Sequence, residues 1–134
     1  LKRRKRKMSK RICIMDLDGV LAEYHGFGDG EIGKPLELGI RLAERMHDEG
    51  FEIVVQSCRT SYGGGRKGEI QRQKIVKWLE AYLPFARVEI NGKAHGDVYF
   101  DDRGVNVPMN WENVRNNDYV FFTGMRIAKE AEQQ

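Results

Sequence analysis

Short apolar runs that stop abruptly at polar clusters, with helical patterns between them, restrict this chain's fold more than any other feature. Ile12 to Met15 is such a run and ends at Asp16; its brevity and lack of polar alternation predict a strand buried on both faces. Residues 23 to 35 are rich in glycine and end at Lys34-Pro35, which predicts a loop. Leu38, Leu42, Ala43 and Met46 then recur at helical spacing until Gly50. Phe51 to Gln56 predicts a second strand and Ser57 to Gly68 another glycine-bearing loop. Ile70, Ile75, Trp78, Leu79 and Tyr82 mark an amphipathic helix that ends before Pro84. Arg87 to Ile90 and Val98 to Phe100 read as third and fourth strands. Beyond Asp102 the pattern weakens: Val105 to Trp111 has no clear period, Tyr119 to Phe122 suggests a small edge strand, and Arg126 to Gln134 a terminal helix. Strands alternating with helices imply right-handed crossovers and a parallel sheet covered on both faces, an α/β sandwich of three layers.

Charge divides the chain. Eight of its 23 basic side chains (Lys2, Arg3, Arg4, Lys5, Arg6, Lys7, Lys10, Arg11) precede residue 12, and none of its 20 acids does. Residues 1–11 therefore read as a basic tail, expected to be disordered and suited to polyanions, ahead of a single mildly acidic domain over residues 12–134. A solubilising arm, or sequence upstream of a natural start at Met8, would look the same. The tail has no apolar core of the kind a secretory signal carries, and the longest apolar runs are far short of the roughly 20 residues a membrane span requires. Cys13 and Cys58 lack CxxC spacing, so neither a disulfide framework nor a zinc cage is indicated, and a cytoplasmic location is expected.

In open parallel sheets ligands bind outside the carboxyl ends of the strands. Those ends carry Asp16, Leu17, Asp18 and Gly19 after the first strand, and Ser57, Cys58 and Arg59 after the second. The third is followed by Asn91, Gly92 and Lys93, and the fourth by Asp101, Asp102 and Arg103. Taken singly these are ordinary turn, cap and surface residues. Taken together, four carboxylates at adjoining strand ends repel one another unless a cation lies among them, and one lysine cannot neutralise them all. Oxygen-only ligands without a His or Cys cluster favour a hard ion, with Mg²⁺ preferred over Ca²⁺ where few protein ligands leave room for water and phosphate. A carboxylate beside such an ion is suited to attack phosphorus and form an aspartyl-phosphate that water later removes. Asp18 would serve as acid and base, while Ser57 and Lys93 would hold the phosphoryl oxygens.

Asp16-Leu17-Asp18-Gly19-Val20-Leu21, Ser57, Lys93 and the Asp101-Asp102 pair occur in the order of the four motifs of the haloacid dehalogenase-like (HAD) superfamily, which residues 11 to 107 resemble. The resemblance implies a Rossmann-like core with Asp16 as nucleophile and Asp18 as acid/base. It also implies Mg²⁺ bound by Asp16, the Asp18 main-chain carbonyl and an acidic residue of the last motif, Asp101 or Asp102. An aspartate at position 18 matches the family's phosphatases and phosphomutases rather than its dehalogenases and pump ATPases. Cap domains are common in that family after the first or second motif, but residues 22 to 35 and 58 to 68 are too short to form one, so an uncapped site open to bulky substrates is expected. Asp101-Asp102-Arg103 also resembles the phosphatase domain of polynucleotide kinase-phosphatases, and the basic tail suits a nucleic-acid end; a nucleotide or sugar phosphate is the broader substrate class.

Rival motifs fail by position. A cysteine-phosphatase loop beginning at Cys58 needs arginine where Gly64 stands, and a P-loop over Gly63 to Gly68 needs Lys-Ser/Thr where Glu69 and Ile70 stand. Gly28, Gly30 and Gly33 fit a dinucleotide fingerprint but run into Lys34-Pro35 instead of opening a helix, and an EF-hand needs an acid or Asn at Val20. The loop Arg59 to Lys67 is expected to overhang the site, with Arg59 and Arg66 contacting substrate beyond its phosphate. His25, His47 and His95 are scattered, and Trp78 is expected in the core. Two functions follow: a Mg²⁺-dependent phosphomonoester hydrolase with a phosphorylated substrate, or a non-catalytic nucleic-acid-binding or scaffold protein that uses the basic tail.

Overall fold

The computed structural model describes residues 10–61, 65–89, 95–103 and 118–133, with the side chains of residues 118–122 excepted. Four strands, β1 (Ile12–Asp16), β2 (Glu52–Gln56), β3 (Arg87–Val88) and β4 (Val98–Phe100), form an all-parallel sheet in the order β3-β2-β1-β4. The flanking helices are α1 (Glu37–Asp48), α2 (Gly65–Tyr82) and α3 (Asp118–Glu132), in an α/β, Rossmann-like arrangement. The expected strands are thus present; Ile90, at the end of the expected third strand, and the basic residues 1–9 lie outside the described residues.

Burial explains the strands. In β1 and β2 the three central residues are all buried, as parallel strands covered on both faces require. Cys13 and Met15 point to one face in register with Ile53 and Val55, and there they pack against Leu42 and Met46 of α1, Ile75 and Trp78 of α2, and Ile127 and Ala131 of α3. Ile14 and Val54 point to the other face and are buried just as fully, with Ile12 beside them. The described helices form the layer over the first face. No helix among the described residues is long and apolar enough to cross a membrane.

Two expectations are corrected. Tyr119 to Phe122, read as an edge strand, belongs to α3, whose residues Thr123, Ile127 and Ala131 are buried four residues apart as one helical face. A run of four apolar residues does not distinguish the two periods. The loop expected from Ser57 to Gly68 instead holds a short 3₁₀ turn, Cys58–Ser61, and α2 has already begun at Gly65. Gly68 is buried in α2 where a Cβ would overlap the Thr60 carbonyl oxygen, so this glycine permits the helix to pack against the turn rather than loosening a loop.

Candidate active site

Parallel register brings the chemistry together. Asp16 pairs with Gln56, and Met15 with Phe100, so the residues that leave β1, β2 and β4 emerge side by side at one edge: Asp16, then Ser57, then Asp101 and Asp102. After β1 the chain closes a tight turn in which the Leu17 carbonyl accepts hydrogen bonds from the N–H groups of Leu21 and Ala22, both at 2.9 Å, and Gly19 N–H donates to the Ala22 carbonyl at 2.8 Å. Leu17 is fully buried beneath this turn, which leaves Asp16 and Asp18 on its open side. Both line a cavity of about 580 Å³ with Tyr24, Ser57, Asp101 and Arg103 among its other walls. That volume falls in the range of small-molecule sites.

Asp16, Asp101 and Asp102 each present a carboxylate oxygen, all within 4.8 Å of one another. Asp16 is half-buried and the other two are exposed. Burial raises the Asp16 carboxyl first, the negative charges of Asp101 and Asp102 and a hydrogen bond shared with Asp102 add to this, and the Leu17 N–H opposes it; the result is pushed up to about 7. A carboxyl perturbed in this way at a cavity wall marks a candidate functional group. Three hard oxygens without nitrogen or sulfur suit a hard divalent cation, which would relieve the repulsion that raises Asp16. This three-aspartate group could therefore hold a metal ion.

Asp18 stands apart from that trio and is held by Arg59. Arg59 Nε donates to Asp18 Oδ2 at 2.7 Å and Nη2 to Oδ1 at 2.9 Å, a two-pronged pair. Arg59, expected from sequence to contact substrate, is only 3% exposed. Burial reflects how fully the guanidinium is used. Nη1 donates to the Gly30 carbonyl at 2.9 Å and reaches Gln71 Oε1 at 3.5 Å, Nη2 also reaches the Glu31 carbonyl at 3.4 Å, and the carbon between them lies 5.1 Å from the centre of the Phe27 ring. Sequence spacing gives no sign of this pair, because its members lie 41 residues apart and an arginine in a loop after a strand is ordinarily solvated.

Ser57 lines the cavity, and its Oγ accepts from Arg59 N–H at 3.2 Å. Arg66 is exposed in the first turn of α2 and is not among the residues that line the cavity. Lys93 lies outside the described residues. Tyr24 was not singled out by sequence, yet it reaches the cavity wall; Arg103, which follows the fourth strand, reaches it too, with a side chain 82% exposed.

No family model matches the chain, and no curated protein matches it. Among solved structures, the chain is similar to one described as the structure of the conserved protein coded by locus from Bacteroides thetaiotaomicron. The two share 17% identity with a TM-score of 0.51, over 87% of this chain and 98% of the other. At that identity the likeness concerns the fold, a parallel α/β sheet.

Proposed function

We propose that the chain is a HAD-like, Mg²⁺-dependent phosphomonoester hydrolase that works through an aspartyl-phosphate on Asp16. The observation that carries this reading is the convergence of Asp16, at the end of β1, with Asp101 and Asp102, after β4, into one carboxylate cluster on a cavity wall. Asp16, Asp101 and Asp102, with the Asp18 main-chain carbonyl that the family resemblance adds, would hold the cation. When bound, the cation supplies charge that screens the carboxylate nucleophile from the phosphate.

An Asp16 carboxylate oxygen attacks phosphorus, the bond from phosphorus to the leaving oxygen breaks, and Asp18 gives that oxygen a proton. Asp18 then takes a proton from the water that attacks phosphorus, and the phosphate leaves with Asp16 regenerated. Asp18 enters the first step protonated on one oxygen and leaves it ionised, and the water's proton restores it; Arg59 occupies two of the four acceptor sites of the carboxylate, so a lone pair remains to carry that proton. Ser57 would hold a phosphoryl oxygen by hydrogen bond, and Lys93 would do so by charge. With residues 22 to 35 and 58 to 68 too short to form a cap, substrates from sugar phosphates to polynucleotide ends would fit this reading, and the basic tail would favour the last.

The test is a phosphatase screen over sugar phosphates, nucleotides and 3′- or 5′-phosphorylated oligonucleotides, with and without Mg²⁺. Phosphate release that chelator silences and Asp16→Asn abolishes, with the fold kept, is the expected result. A fully active Asp16→Asn protein refutes the mechanism. Absence of release from every substrate, with salt-sensitive oligonucleotide binding lost on deleting residues 1–11, favours the non-catalytic reading.

A further inference from the structure

We infer that Arg59 is the positioning residue of the acid/base group: it fixes the Asp18 carboxylate toward the cavity and ties it to the loop that carries Phe27, Gly30 and Glu31. This rests on the proposed hydrolase reading and assigns Arg59 a task different from the substrate contact its sequence position suggested.

A guanidinium has five N–H donors, and the partners of Arg59 account for all of them. Nε and one Nη2 proton go to Asp18, the other Nη2 proton to the Glu31 carbonyl, and the two Nη1 protons to Gly30 and Gln71. Substrate would have to displace one of these from a side chain 2% exposed. Asp18 is more open, at 15%, so the pair presents its acidic member to the cavity and keeps its basic member behind it. Such a fork fixes both carboxylate oxygens in one plane, which a lysine ammonium cannot do. Proton transfer to a leaving oxygen demands hydrogen-bond reach and alignment, so a carboxylate free to rotate would lose rate at that step.

The anchor behind Arg59 is itself fixed. Lys74 Nζ lies 3.0 Å from Glu31 Oε1, and Trp78 Nε1 donates to the Gly33 carbonyl at 3.0 Å, so α2 holds the loop that holds Arg59. The Phe27 ring covers the guanidinium from one side.

The experiment compares Arg59→Lys with wild type on two substrates whose leaving groups differ, p-nitrophenyl phosphate and an alkyl phosphate, at saturating Mg²⁺. The nitrophenolate departs with little proton help, whereas an alkoxide needs the acid. The expected result is a loss of kcat/KM of about 100-fold on the alkyl phosphate and under about tenfold on the aryl one, with circular dichroism unchanged. Equal losses on both substrates, or a rise in KM alone, overturn the positioning role. A wild type without turnover on either substrate overturns the hydrolase reading, and this inference falls with it. Should Arg59→Lys fail to fold, ¹⁵N spectra of the wild type decide: one arginine Nε–H should exchange slowly with water and shift in Asp18→Asn, and a wild type without such a signal overturns the pairing.

Discussion

Gly19 and Asp102 meet so closely that a methyl group on Gly19 would overlap Asp102 Oδ2. The turn after β1 thus passes directly against one carboxylate of the three-aspartate cluster, with Gly19 at φ +86°, a conformation side chains rarely adopt.

Gly19→Ala should therefore do two kinds of damage. The left-handed backbone alone costs about 1 kcal/mol, and displacing Asp102 should weaken Mg²⁺ binding by about tenfold. Gly50→Ala is the control, because Gly50 has φ +96° but open space around its missing Cβ. It should lower stability in thermal denaturation and leave the Mg²⁺ titration curve in place. Equal Mg²⁺ affinity in both variants would separate Asp102 from cation binding.

The cluster should also make the cation-free protein sensitive to pH in an unusual direction. Asp16 sits at about 7 in the folded chain, raised by burial and then by Asp101 and Asp102, against about 3.9 in an unfolded one. Between those values the folded state holds a proton that the unfolded state gives up, so stability falls as pH rises. The contribution is fully present below pH about 4 and lost as pH climbs through about 7. In the presence of chelator, the melting temperature of wild type relative to Asp16→Asn should decline across that window. Saturating Mg²⁺ should remove the decline, since a cation favours the ionised carboxylate. A difference independent of pH would mean that neither burial nor the neighbouring carboxylates raise Asp16.

Trp78 shows how a residue read as core carries a second task. It is 9% exposed and packs in the main core, yet its indole N–H also donates to Gly33 in the loop behind Arg59. Trp78→Phe retains most of the apolar contact and strands that carbonyl. The expected cost is about 1 kcal/mol in urea denaturation, with a larger relative loss of turnover as the loop loosens its hold on Arg59. Unchanged turnover would disconnect the loop from Asp18, the proposed acid/base group.

What the sequence revealed and what it hid divide along physical lines. Ile12 to Met15 was legible because a strand buried on both faces needs an unbroken apolar run, and Asp16, Asp101 and Asp102 followed because a parallel sheet has only one edge at which strands of that kind end. Gly68 misled because a glycine needed for close packing looks the same in sequence as one needed for a turn. The Asp18 partner of Arg59 was hidden because it is set by tertiary geometry: a charge placed in a polar loop is solvated by default, and here residues 27–31 close over it. Tyr24 carried no pattern at all, since a cavity wall needs neither period nor spacing.

The terminal helix tests whether packing or charge fixes the end of the chain. Arg45 Nη2 of α1 lies 2.6 Å from Glu130 Oε2 of α3, and Arg126 contacts the same carboxylate at 3.1 Å. Those arginines hold the Glu130 carboxyl below the usual range, the Arg45 hydrogen bond foremost. The pair is nonetheless open to solvent, where side-chain entropy and salt offset most of the attraction. Ile127 is fully buried in the main core, and removing its branched side chain leaves a void as well as losing apolar contact. Ile127→Ala should cost about 2–5 kcal/mol, whereas Glu130→Gln should cost much less, and its cost should shrink further as salt is raised. Urea denaturation of both variants at low and high ionic strength measures the two contributions, and a Glu130→Gln loss as large as that of Ile127→Ala would mean that the ion pair, rather than the apolar face, docks α3 on α1.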